Sequence, residues 1–139
     1  MTRIFRFLKF SAGIIVIAIA VGCVVFVGGI ARGSYLSPGN HPITLSHGDR
    51  ERSAIVHVPP RAVGKSEIPV IINFHGGGGH GGNEQEYSLM DKLADRETFV
   101  AVYSNGTGRF GNRLLTWNAG ACCAYAMSNN VDDVGFVRA

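Results

Sequence analysis

A run of glycines placed directly after a buried-strand sequence narrows the fold more than any other feature. Ile68-Pro69-Val70-Ile71-Ile72-Asn73-Phe74 is almost wholly apolar. An unbroken apolar run of that length suits a strand covered on both faces, as in a parallel sheet. It leads straight into His75-Gly76-Gly77-Gly78-Gly79-His80-Gly81-Gly82. The spacing then predicts a helix over residues 84–97. Leu89, Met90, Leu93 and Ala94 form its apolar stripe. Glu84 and Glu86 fall in its first turn, where the helix macrodipole favours acids. Phe99-Val100-Ala101-Val102-Tyr103 reads as a second buried strand. Strand, glycine loop, helix and strand make a βαβ unit with a right-handed crossover, so the fold class is α/β.

The flanking segments extend this unit. Residues 43–45 and 53–58 are strand-like, and the polar stretch 47–52 between them predicts an antiparallel hairpin ended by Pro59-Pro60. Residues 104–130 are irregular, rich in Gly and Asn, and hold the single tryptophan, Trp117. Asn105-Gly106-Thr107 matches a glycosylation sequon, but a turn after a strand is the favoured explanation. Residues 131–137 open a further helix, with Asn129 or Asn130 as its cap and Asp132 and Asp133 at its positive end.

Glycine weakens ordered structure, so four in a row mark unusual dihedrals or a close backbone approach. A phosphate-binding P-loop needs Gly-Lys-Ser/Thr, and Gly82-Asn83-Glu84 stands there instead. A dinucleotide loop needs Gly-x-Gly-x-x-Gly, which Gly76, Gly78 and Gly81 satisfy, but no acid ends the next strand at Tyr103-Ser104-Asn105. The third chemistry is an oxyanion hole of the His-Gly-Gly-Gly type, whose backbone N–H groups hold the carbonyl oxygen of an ester. Gly77 and Gly78 are then the donors, with His75, Gly76 and Gly79 shaping the loop and His75 bracing it. A metal site using His75 and His80 would have only Asp132, Asp133 and distant histidines to complete it, and it is disfavoured. His57 reads as an ordinary strand histidine. No cofactor and no metal are expected.

The N-terminus belongs to a different class of segment. Arg3, Arg6 and Lys9 precede an uncharged apolar run over residues 10–31. About 20 apolar residues suffice to span a bilayer core, and a cleaved signal normally has a shorter apolar stretch. An uncleaved anchor over residues 1–31 is favoured over a cleaved signal. The basic flank places the rest of the chain outside the cytoplasm. Residues 32–41 read as a linker, and residues 42–139 as the α/β part. Cys23 lies inside the apolar run and loosely matches a lipobox, although the continuing Val24-Val25-Phe26-Val27 favours a plain membrane helix. The net charge of +3 owes much to the basic N-terminal flank, and no basic stripe with interleaved aromatics invites nucleic acid. Cys122 and Cys123 are the only cysteines of the exported part, where disulfides are favoured. Adjacent cysteines rarely reach bridge geometry, so the expected partner of at least one lies beyond residue 139; two free thiols are the alternative.

Ile71-Ile72-Asn73-Phe74-His75-Gly76-Gly77-Gly78-Gly79 resembles the oxyanion-loop strand of the poly(3-hydroxybutyrate) depolymerase and feruloyl esterase family. Leu93-Ala94-Asp95-Arg96 and Asn105-Gly106-Thr107-Gly108-Arg109 are similar to its next helix and loop. The most specific likeness is Thr116-Trp117-Asn118-Ala119-Gly120-Ala121-Cys122-Cys123 followed by Asn130-Val131-Asp132-Asp133-Val134-Gly135-Phe136. Ala124 and Thr98 depart from it, since glycine is common at both places. The resemblance covers residues 43–139. It implies an α/β-hydrolase fold and a Ser-Asp-His triad whose serine sits in Gly-x-Ser-x-Gly at a strand-to-helix turn. No such motif occurs in the chain. The expectation is therefore the N-terminal fragment of an exported carboxylic-ester hydrolase. Its sheet of about four strands has an open edge, and its triad lies further along. The implied substrates are hydroxyalkanoate polyesters or feruloylated and acetylated plant polysaccharides. A non-catalytic, membrane-anchored binding module that uses the glycine loop is the alternative.

Overall fold

The computed structural model of the chain describes residues 36–139. The expected anchor or signal over residues 10–31, the Cys23 lipobox and the first residues of the linker lie outside them. Among the described residues, no helix is long and apolar enough to cross a membrane.

Four strands form one mixed sheet. β1 (Gly39–His47) and β2 (Arg50–Val58) make the hairpin, joined at Gly48-Asp49 and paired so that Ile43 faces Ala54. Both are longer than the sequence reading, and β1 takes the end of the expected linker. Pro42 fits because β1 is an edge strand and an edge tolerates a missing N–H. β3 (Val70–Phe74) runs parallel to β4 (Val100–Ser104), and β4 pairs antiparallel with β2, so the strand order is β1-β2-β4-β3. The predicted hairpin and βαβ unit are thus joined in one α/β sheet through the β2–β4 pair.

Side chains alternate across the sheet, and two small cores result. On one face Ala101 and Tyr103 of β4 meet Ile55 of β2, under Ala94, Met90 and Leu93. On the other, Val56 and Val58 pack with Val100 and Val102, closed by Ala62 in a 3-10 turn after β2 and by Ile68.

The single helix expected over residues 84–97 is two. α1 (Gly81–Ser88) starts earlier, and α2 (Met90–Glu97) follows a break at Leu89, whose φ is +55°. The α1 sequence has no apolar stripe, so nothing holds it in register with α2. The break leaves Leu89 exposed while Met90, Leu93 and Ala94 settle on the sheet. α2 ends at Thr98, whose N–H donates to Ala94 O from a left-handed backbone, the conformation glycine usually supplies.

The irregular region contains a helix the sequence did not suggest, α3 (Ala124–Ser128). The last helix, α4 (Asp133–Arg138), is capped by Asp132 rather than by Asn129 or Asn130. Its carboxylate accepts the Gly135 N–H at 2.8 Å, while Asn130 is taken up in a left-handed turn before it.

Candidate functional site

The glycine loop leaves the carboxyl end of β3, where open α/β sheets place their ligands. His75 is buried there and holds three segments together. Gly106 donates its N–H to His75 Nε2 at 3.0 Å, so the ring proton sits on Nδ1, which donates to Gly76 O at 2.8 Å. The Trp117 indole donates to His75 O at 3.0 Å and its ring lies 5.0 Å from the imidazole. Phe74 meets the same indole edge-on at 5.1 Å. A side chain at position 106 would be forced to 2.5 Å from Thr116 O, so only glycine lets that N–H reach the histidine.

The loop itself is a tight turn. Gly79 donates to Gly76 O at 3.1 Å, and Gly78, with φ +86°, donates to Leu115 O at 2.8 Å. Gly78 was expected as an oxyanion donor beside Gly77, but its N–H is already committed to Leu115. The Gly77 N–H has no acceptor among the described residues and its residue is exposed. The Gly76 N–H is likewise without an acceptor and Gly76 is exposed, so the loop carries two neighbouring unbonded donors, Gly76 and Gly77. Beside it opens a cleft of about 480 Å³ lined by Gly78, His80, Phe110, Asn112, Arg113 and Leu114.

The other expected residues take structural positions. His80 accepts the Asn83 N–H at the start of α1. Asp132 caps α4 and meets His47 Nε2 at 3.0 Å. The Gly135 N–H, and after it His47, hold the Asp132 carboxyl below the usual carboxylate range. Among the described residues no three histidine, cysteine or acidic side chains are grouped to hold a metal. Asn105 of the sequon accepts Gly81 N–H at 2.7 Å and donates to Ser53 Oγ at 2.9 Å, so both ends of its amide serve the fold. Cys122 and Cys123 lie side by side before α3, and the partner expected for one of them lies outside the described residues. Here the peptide between them is cis and the Cα atoms are 3.1 Å apart.

Two clusters went unseen in the sequence. Arg52 is 3% exposed and donates to Asp133 Oδ1 at 2.6 Å and to Asn105 O at 3.2 Å, with its guanidinium 4.0 Å from the centre of the Phe136 ring. Asp133 Oδ2 accepts the Asn118 N–H at 2.6 Å. The signal was period two: Arg52 shares the phase of Ala54, Val56 and Val58. The second cluster centres on His57, which is buried, with Nδ1 2.6 Å from Asn40 Oδ1 and Nε2 3.0 Å from Asp95 Oδ1. Tyr103 donates to Asp91 at 2.6 Å. Burial, and then that bond, hold its phenol well above the usual range.

No known protein-family profile matches this chain, and no curated protein matches it.

Proposed function

We propose that the chain is the N-terminal part of an exported carboxylic-ester hydrolase of the α/β-hydrolase type, with its serine triad supplied by sequence beyond Ala139. The observation that supports this most directly is the Gly77 N–H, left without an acceptor on a loop that His75 fixes at the end of a parallel strand. A preorganised donor of this kind stabilises the charge that develops on a carbonyl oxygen during acyl transfer. It cannot by itself attack an ester, and the sequence holds no Gly-x-Ser-x-Gly. The division of labour is therefore oxyanion binding by residues 75–79 and attack by a serine from elsewhere. Substrates of the class are hydroxyacid polyesters and the feruloyl or acetyl esters of plant polysaccharides. The residues before the linker would anchor the enzyme to a membrane or direct its export.

Translation through the reading frame downstream of Ala139 tests the proposal. The longer protein should hydrolyse p-nitrophenyl butyrate, with the activity removed by a serine-directed inhibitor, and the 139-residue chain should not. In the longer protein, Gly77→Pro deletes one of the loop's unbonded N–H groups. It should lower kcat by about 100- to 1,000-fold with little change in KM. Inhibitor-sensitive turnover by the 139-residue chain, or an unaffected kcat in Gly77→Pro, would rule the assignment out.

A further inference from the structure

We infer that Trp117 is a positioning residue whose indole aims the Gly76 N–H, so that the glycine loop presents two held donors rather than one; the catalytic use of the second donor rests on the hydrolase reading above. A trans peptide is a rigid plate with its C=O and its N–H on opposite edges, so fixing the carbonyl fixes the direction of the N–H. In the peptide between His75 and Gly76, the carbonyl His75 O accepts the Trp117 Nε1–H at 3.0 Å. The N–H of that peptide, on Gly76, has no acceptor among the described residues. The next peptide repeats the arrangement with different partners. Its carbonyl, Gly76 O, accepts the His75 Nδ1–H at 2.8 Å and the Gly79 N–H at 3.1 Å, and its N–H, on Gly77, is free. The histidine aims one donor and the tryptophan the other.

The indole is itself held on every side. Before it, Thr116 pairs with Thr107 through both its N–H, at 3.0 Å, and its C=O, at 2.9 Å. After it, Asn118 donates its N–H to Asp133 Oδ2 at 2.6 Å, and Asp133 is in turn fixed by the buried Arg52. The ring rests against Phe74 edge-on at 5.1 Å and lies tilted over His75 at 5.0 Å. With its backbone clamped and its ring seated, the indole N–H is a fixed point to which the loop carbonyl is pinned. Packing alone accounts for the ring contacts. It does not account for the single polar atom of the ring being spent on the one peptide whose N–H is left free. Two unbonded donors on successive exposed glycines suit an oxygen that gains negative charge, because neither has to break an internal bond first.

The test removes the bond and keeps the ring. Benzothienylalanine in place of Trp117 is a near-isostere of tryptophan with sulfur where the N–H stands. In the full chain in phospholipid nanodiscs, nitrogen-15 relaxation reads the order parameters of the Gly76 and Gly77 N–H vectors. Both should lie near the rigid-backbone value of about 0.85 in the native chain. In the isostere the Gly76 value should fall toward about 0.6, while Gly77, held through Gly76 O, should keep its own. In the longer protein the isostere should lower kcat on the order of tenfold with little change in KM, a smaller loss than deleting a whole donor. An unchanged Gly76 order parameter would overturn the inference. So would an equal fall at Gly76 and Gly77, which would make the indole mere packing for the whole loop, and so would an unchanged kcat in a longer protein that turns over. A longer protein without turnover, in which Gly76 and Gly77 still respond differently, would leave the aiming role standing and count against the hydrolase assignment.

Discussion

At the residue scale, the chain spends its polar side chains on fixing backbone. His75, Asn105, Asp132 and Asp133 each accept at least one main-chain N–H. Asp132 shows the electrostatic consequence. Its carboxyl is depressed first by the Gly135 N–H and then by the His47 ring. A group depressed in the folded state supports folding fully above the ordinary carboxylate range, and that support is lost as pH falls through the lowered value. The cap should therefore loosen only in acid. A carbon-13 titration of the Asp132 carboxyl should give a midpoint below that of an ordinary aspartate, and His47→Gln should raise it part of the way back. An unchanged midpoint in His47→Gln would remove His47 from the cap. Gly135 is bound into the same contact, because a Cβ there would collide with the Asp132 carboxylate and approach the His47 ring to 2.5 Å. The sequence placed Asp132 and Asp133 near a helix start as interchangeable acids. Only the fold separates them, one exposed and capping, the other buried against Arg52.

At the element scale, α4 is held to the sheet by that buried pair. Breaking a buried ion pair by removing one partner costs about 3–5 kcal/mol, because the other charge is left without compensation. Arg52→Met should therefore release α4, read as loss of amide exchange protection over residues 133–138. Replacing both partners, as in Arg52→Met with Asp133→Leu, should restore much of it, since an apolar pair of similar shape needs no counter-charge. Equal loss in the single and double variants would show that the pair is not the tether. Arg52 was hidden in the sequence for a physical reason. Asp49-Arg50-Glu51-Arg52 has the composition of a solvated turn, and strand phase alone places its fourth residue inward. The strands were legible because β2, β3 and β4 carry apolar runs that allow little else. The helix over residues 84–97 was legible as helical, but its break at Leu89 was not, since no glycine or proline marks it. Within the site, the loop after β3 and the bracing position of His75 could be read from the histidine and the glycine run. The loss of Gly78 could not, because its acceptor, Leu115 O, comes from a segment that carries no pattern.

At the scale of the whole molecule, the sheet has two unlike edges. β1 lines one edge with Asn40, Pro42, Thr44 and Ser46 exposed, and proline or polar groups on an edge discourage further pairing. β3 lines the other with Val-Ile-Ile-Asn-Phe, which has no charge and no proline. Val70, Ile72 and Phe74 share one face and are 58%, 37% and 48% exposed. Along that face the segment after β2 covers Val56 and Val58, and α4 reaches Arg52 through Asp133 and Phe136. Neither covers the β3 side chains, although Phe74, Trp117, Val134 and Val137 line an apolar groove of about 430 Å³ there. An unpaired strand with apolar side chains is a template for another strand. Residues 36–139 prepared alone should therefore associate through β3, with the mean mass in sedimentation velocity rising across a concentration series. Ile72→Lys puts a charge on that edge and should return the material to monomer. Thr44→Lys on the β1 edge should not. A monomer at every concentration with a sharp cooperative unfolding transition would mean that residues 36–139 are self-sufficient and that β3 needs no neighbour.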